Sequence, residues 1–290
     1  MRKPIKLPRM TNRGTALFKY LHQTEKKVLF KDSYIHWFLE NVPNTATTVE
    51  EFIHQNVEAK SPESEFLRTA IRYTILREKF FDDFIENTVR MGCQRLVLLG
   101  AGFDTRFFRL PLLKEKNVSV IEVDVLSTIN EKKEILKKKL GQLPEKLSLI
   151  GVDLSKDDLN IVLRSNILAE PKTVIIWQGV SYYLKKEDVS SILDSIKSYT
   201  TPGTLLGFDC CSPLMLFDND KIPGIRLNIE HLAKIGEPYL FGMCQNKMEV
   251  WLKEKGFKAP MTQDQQLLEE KYLGGKSLPE EMWYVVTTAT

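Results

Sequence analysis

The 290-residue chain has four cysteines and four histidines, and neither set has the spacing of a metal site. Cys93, Cys210, Cys211 and Cys244 contain no Cys-x-x-Cys pair, and adjacent cysteines cannot easily bridge each other, so reduced thiols are expected. His22, His36, His54 and His231 lack the i, i+4 pairing that would place two ligands on one helix face. No apolar run approaches the roughly 18 residues that cross a bilayer. The N-terminus has no apolar stretch of the signal-peptide kind, so the expectation is a cytoplasmic protein without a membrane partner. A net charge of +3 without a clustered basic stripe argues against nucleic acid. Arg2, Lys3, Lys6, Arg9 and Arg13 read as a solvated tail. No Ser-His-Asp or paired-carboxylate catalytic set stands out, and there is no internal repeat.

What is present is ordinary globular material, 43% hydrophobic and 27% charged. Residues 15–91 carry apolar positions at three- and four-residue spacing and read as helical. From residue 95 apolar strands alternate with amphipathic helices, the pattern of βαβ units and a mostly parallel sheet. Strands are expected at 95–100, 118–124, 147–152, 173–178 and 204–209, with helices near 125–141, 156–168 and 186–200. A helix over 246–256 and a final strand over 283–289 suggest an antiparallel edge. In the lysine-rich stretch 131–140, Ile135, Leu136 and Leu140 supply the buried stripe, and the lysines are expected to face solvent. Residues 210–245 show no convincing strand and read as an insertion over the sheet's carboxyl edge, where loops contact substrate.

The most specific segment is Leu96-Val-Leu-Leu-Gly-Ala-Gly-Phe-Asp-Thr-Arg106. A buried parallel strand runs into a Gly-x-Gly turn, which lets a ligand approach backbone that a Cβ would shield. The next strand ends in Asp124, at the distance where an acid can accept from the ribose hydroxyls of adenosine. A dinucleotide site would want a third glycine to bring a helix N-terminus to the pyrophosphate. That position is Thr105, and Asp104 beside it repels phosphate. The turn therefore favours S-adenosyl-L-methionine, which has a sulfonium and an ammonium but no phosphate, over NAD. Asp153, ending another apolar run, could accept from an adenine amino group or cap the helix that follows.

These motifs, Gly100-Ala-Gly-Phe-Asp-Thr-Arg106, Glu122-Val-Asp124, Gly151-Val-Asp-Leu154 and Gln178-Gly-Val-Ser-Tyr-Tyr-Leu184, resemble in order and spacing those of the leucine carboxyl methyltransferase family, particularly its bacterial members. Phe30-Lys-Asp-Ser-Tyr-Ile35 and Gly236-Glu-Pro-Tyr-Leu-Phe-Gly242 extend the resemblance over most of the chain. It implies an α/β, class I methyltransferase of Rossmann-like design. A seven-stranded, mostly parallel sheet would fill residues 92–290, with the insertion at 210–245, and residues 1–91 would form a helical N-terminal cap. The implied donor is S-adenosyl-L-methionine. Its implied contacts are Arg77 for the carboxylate, the turn Gly100, Ala101, Gly102 and Asp104, Asp124 for the ribose, Asp153 and Leu154 for adenine, and Gln178 for the amino group. A surface ion pair is the other reading of Arg77.

Gln178 departs from the glutamate usual in the family, and an amide keeps a hydrogen bond but loses the charge attraction to an ammonium. That departure keeps a non-catalytic binding protein among the alternatives. Tyr182 and Tyr183 either face substrate or pack, and Arg106 and Arg109 either pin an acidic substrate or close salt bridges. Methyl transfer from a sulfonium is an in-line displacement that needs alignment and exclusion of water more than a base. The expected acceptor is a small-molecule carboxylate or hydroxyl. A protein C-terminal carboxylate is the alternative, and an NAD-dependent oxidoreductase is disfavoured by Thr105.

Overall fold

The computed structural model describes residues 10–39, 60–157, 159, 160, 163, 172–279 and 282–290. The helix expected over 156–168 lies largely outside them, as do Arg2, Lys3, Lys6, Arg9 and His54. Helix α1 (Met10–His22) leads to a single 3-10 turn (Ile35–Phe38) and then to the long helix α2 (Pro62–Arg90). The start of α2 is set locally: the Ser61 side chain accepts from the Ser64 amide, Pro62 fills a position where no amide is needed, and Glu63 and Glu65 face the positive end of the helix dipole.

The core follows as β1 (Arg95–Leu99), short helices α3 (Arg106–Arg109) and α4 (Pro111–Glu115), β2 (Ser119–Asp124), α5 (Leu126–Leu140), β3 (Leu147–Gly151), β4 (Thr173–Trp177), α6 (Lys186–Tyr199) and β5 (Leu205–Cys211). It ends with α7 (Ile225–Lys234), α8 (Gln245–Glu254), β6 (Lys258–Asp264), α9 (Gln265–Leu273) and β7 (Trp283–Ala289). Seven strands form one sheet in the order β3-β2-β1-β4-β5-β7-β6. The first five are parallel, and β7 pairs antiparallel with both β5 and β6. From β1 the chain winds outward to β3 and then returns to the other side of β1 as β4. That reversal opens a crevice beyond the carboxyl ends of β1 and β4.

β1 is buried except at Arg95, and β4 is buried throughout, which explains their unbroken apolar sequences. α2 lies against the same core: Tyr73, Leu76, Phe80, Phe81 and Ile85 join one cluster with Leu96, Leu98, Val174 and Ile176. Gly207 makes that approach possible, because a Cβ there would come within 2.9 Å of the Phe81 ring. Burial of each such side chain is worth about 1.5–3 kcal/mol, so α2 is part of the sheet's own packing.

Two expectations need correction. Lys132, in the lysine-rich helix, is fully buried, 2.5 Å from the Glu122 carboxylate and donating to the Asp104 carbonyl at 2.6 Å. It is buried with Ile135 and Leu136, whereas Leu140 is exposed, and helical periodicity cannot reveal the partner it finds. The stretch 210–245 begins inside β5 and contains α7. The residues located six strands of the seven that the resemblance implies, and the structure supplies the remaining one as β6, followed by α9.

Candidate active site

At the crevice, β1 ends in a turn that only glycine accommodates well. Gly100 and Gly102 have φ of +66° and +50°, and a Cβ on Gly100 would fall 2.2 Å from Val180. The turn's amides are already spoken for: Gly100 and Ala101 donate to the Val123 carbonyl, Gly102 to Asp124 Oδ2 at 2.8 Å and Asp104 to the Ala101 carbonyl. A pyrophosphate cradle presents free amides to its ligand, and these bonds leave those four amides unavailable for one.

A cavity of about 80 Å³ lies between this turn and the end of β4. Its floor is Gly100 to Asp104 with Gln178 and Gly179, its flank is Arg77 and Glu78 from α2, and Tyr182 and Tyr183 close one end. α1 roofs it with Asn12, Thr15, Ala16 and Lys19. The structure thus brings together Arg77, Gly100, Ala101, Gly102, Asp104, Arg106, Gln178, Tyr182 and Tyr183. Asp124, Asp153 and Leu154 are not in the lining. Asp124 instead braces the turn through Gly102 and the Val125 amide. Asp153 accepts from the Ser155 amide and hydroxyl and from Lys156, and these contacts hold its carboxyl down at about 2 despite partial burial. Leu154 packs at the edge of the second core cluster.

Behind the lining stands a dense network of buried charges. Glu78 accepts from Lys19 at 3.0 Å, from Arg109 at 2.6 Å and from Gln178 Nε2 at 2.7 Å, and it lies 3.1 Å from Arg106. Burial alone would raise the Glu78 pKa, but Arg106, Lys19 and Arg109 outweigh it and hold the carboxyl well below the usual range. Arg106 also binds Asp82 at 2.8 Å and Asp104 at 2.5 Å and donates to Gln178 Oε1 at 2.8 Å. Arg109 pairs with Asp82 as well and with Thr105, whose hydroxyl donates to Asp32 at 2.6 Å. Of the two readings left open for Arg106 and Arg109, the geometry is that of closed salt bridges. Isolated buried charges would be prohibitively costly, and reciprocal pairing is what permits them.

Arg77 is different. Its Nη1 donates to Asp209 Oδ2 at 2.5 Å and to the Tyr182 hydroxyl at 2.8 Å, whereas its buried Nε has no hydrogen-bond partner. Its Nη2 lies beside Gly179, 3.1 Å from where a Cβ would stand. An arginine presents Nε and Nη2 as one planar fork suited to a carboxylate, and Arg77 is one of the residues lining the cavity. Asp209 was not singled out from the sequence, although an acid near the carboxyl end of the apolar run Leu205-Leu-Gly-Phe-Asp is the signal that identified Asp124. Tyr239 was also missed. It packs 4.7 Å from Tyr182 and 5.2 Å from Tyr183, ring centre to ring centre.

The model of the leucine carboxyl methyltransferase family matches residues 13–197. Two relatives carry the name "Putative S-adenosyl-L-methionine-dependent methyltransferase". YktD of Bacillus subtilis is 28% identical over 63% of this chain and 60% of its own length, and FRAAL3836 of Frankia alni is 25% identical over 86% and 82%. The chain thus spans less than two thirds of YktD. The crystal structure of a DUF574 family protein from Streptomyces avermitilis shares the fold, with a TM-score of 0.61 at 10% identity over 96% of this chain and 97% of that one. No helix among the described residues is long and apolar enough to cross a membrane. With the family match covering well over half of its residues, the chain belongs to the leucine carboxyl methyltransferase family.

Proposed function

We propose that this S-adenosyl-L-methionine-dependent methyltransferase acts on an oxygen of a small molecule, a carboxylate or a hydroxyl. The observation that carries the site reading is the unpartnered Nε of Arg77, a residue that lines the crevice. A buried guanidinium N–H without a partner is costly unless a ligand completes it, and a carboxylate such as the donor's matches the geometry of an arginine fork. The glycine turn admits close approach and its occupied amides suit a ligand without phosphate, while Asp124, which braces the turn from outside the lining, would reach the ribose hydroxyls only if the turn opens toward it.

When bound, the donor supplies a methyl group on a sulfonium, ready for displacement by an oxygen nucleophile. The chain's contribution is to bind, orient and exclude water. Arg77 would hold the aminoacyl end, Gln178 would offer its amide to the amino group, and α1 with Tyr182 and Tyr183 would limit water around them. Orientation of this kind can supply several kcal/mol. A small acceptor is favoured over a protein chain because α1 covers the crevice. At about 80 Å³ the space is well below the roughly 300–1,000 Å³ of ordinary ligand pockets, which favours a compact acceptor.

Calorimetric titration with S-adenosylhomocysteine and, in parallel, NAD tests the donor site. Binding of the first alone is expected, and Arg77→Met should weaken it by at least tenfold. Labelled methyl transfer to a panel of small carboxylic acids and phenols, against peptides with a free C-terminus, tests the acceptor. Labelling of the peptides alone would refute the small-molecule reading.

A further inference from the structure

Asp209 sits near the carboxyl end of β5, fully buried, and it touches three parts of the crevice at once. Oδ2 accepts from Arg77 Nη1 at 2.5 Å, with the Tyr73 hydroxyl 3.5 Å away. Oδ1 accepts from the Gly179 amide at 2.6 Å, and the backbone carbonyl of Asp209 accepts from the Ser181 hydroxyl. One residue therefore ties α2, β5 and the turn after β4 together. We propose that Asp209 is a positioning residue: it holds Arg77 by Nη1 so that the Nε–Nη2 edge stays turned to the donor's carboxylate. This rests on the reading of Arg77 given above.

A guanidinium has one Nη1 corner and, opposite it, the Nε–Nη2 edge. With Asp209 and Tyr182 holding the corner, two carboxylates can bind one arginine without meeting each other. An arginine side chain otherwise gives up rotamer freedom when a ligand orders it, and an anchored one has lost that freedom already. Asp209 also makes the buried cation tolerable before any ligand arrives. Burial disfavours the charged form, yet Asp209 together with Tyr182 and Tyr73 outweighs burial and keeps Arg77 well above its ordinary pKa. The same carboxylate fixes Gly179, whose missing Cβ leaves room for Nη2, so the arginine and the turn beside it are set by one group.

The test compares two probes, S-adenosylhomocysteine and 5′-methylthioadenosine, which shares the nucleoside but lacks the aminoacyl end. Asp209→Asn keeps an acceptor for Gly179 but sets an amide against Nη1. It is expected to weaken S-adenosylhomocysteine about tenfold and to leave methylthioadenosine unchanged. Arg77→Met should do likewise, and the double variant should be no weaker than Arg77→Met alone, because a positioning residue has no effect once its client is gone. Equal loss of both probes in Asp209→Asn, or additive losses in the double variant, would overturn the proposal and leave Asp209 a structural residue. Should Asp209→Asn not fold, Asp209→Glu serves: a longer carboxylate displaces the fork and must still weaken S-adenosylhomocysteine selectively. Failure of the wild-type protein to bind S-adenosylhomocysteine would refute the reading of the site itself, a separate outcome.

Discussion

Gln178 Nε2 donates to Glu78 Oε2 across 2.7 Å, joining the end of β4 to α2, while Oε1 of the same amide accepts from Arg106. An amide is the one side chain of that size that can face an anion and a cation at once. The sequence alone suggests that Gln178→Glu would tighten donor binding by restoring a charge. The contact with Glu78 reverses that expectation.

Gln178→Glu would place two carboxylates within hydrogen-bond distance, and one of them must then take up a proton. The variant is expected to lose about 1–2 kcal/mol of stability at pH 8 and to recover part of it at pH 5, where the shared proton is easily supplied. S-adenosylhomocysteine should not bind more tightly. Urea unfolding at the two pH values, with a titration at each, measures both effects.

At Gly102 the backbone has φ +50° and a Cβ would stand 3.1 Å from the Asn12 amide oxygen. Gly102→Val is therefore expected to strain the turn by about 1–3 kcal/mol and to press on α1 as well as on the ligand. Thermal unfolding should show a lower midpoint, and donor binding should fall further than for Asp124→Ala, which removes a brace without adding bulk.

Glu122 is fully buried, and burial pushes its carboxyl up to about 7 although Lys132 pulls the other way. Between the ordinary value near 4.5 and about 7 the folded chain holds a proton that the unfolded chain has released. This group's contribution to stability therefore falls as pH rises through that window and is level above it. Glu122→Gln should flatten that slope, by on the order of a few kcal/mol. Unfolding free energies of both proteins between pH 4.5 and 8 check the sign.

Tyr239 packs against the two tyrosines that close the cavity but is not itself in the lining. Tyr239→Ala should leave S-adenosylhomocysteine affinity within twofold and change turnover or preference for whatever acceptor is methylated. Replacing residues 213–224 wholesale is a poorer test of the same segment, because Met215 and Ile222 are core residues and Gly224 abuts the Pro62 carbonyl.

The amino-acid sequence by itself determined the parallel half of the sheet, the glycine turn and the preference for a ligand without phosphate. Each of these rests on local regularities: unbroken apolar runs for strands buried on both faces, and glycine where φ is positive. β6 escaped because Lys258-Ala-Pro-Met-Thr-Gln-Asp264 is an exposed edge strand with a proline and no apolar alternation, held by pairing with β7. What only the tertiary structure decided is how the charges are matched. Lys132 with Glu122, Gln178 with Glu78 and Arg77 with Asp209 are partners ten, 100 and 132 positions apart. An ionic group's role depends on which opposite charge shares its low-dielectric surroundings, and that is settled only when the helices close over the sheet.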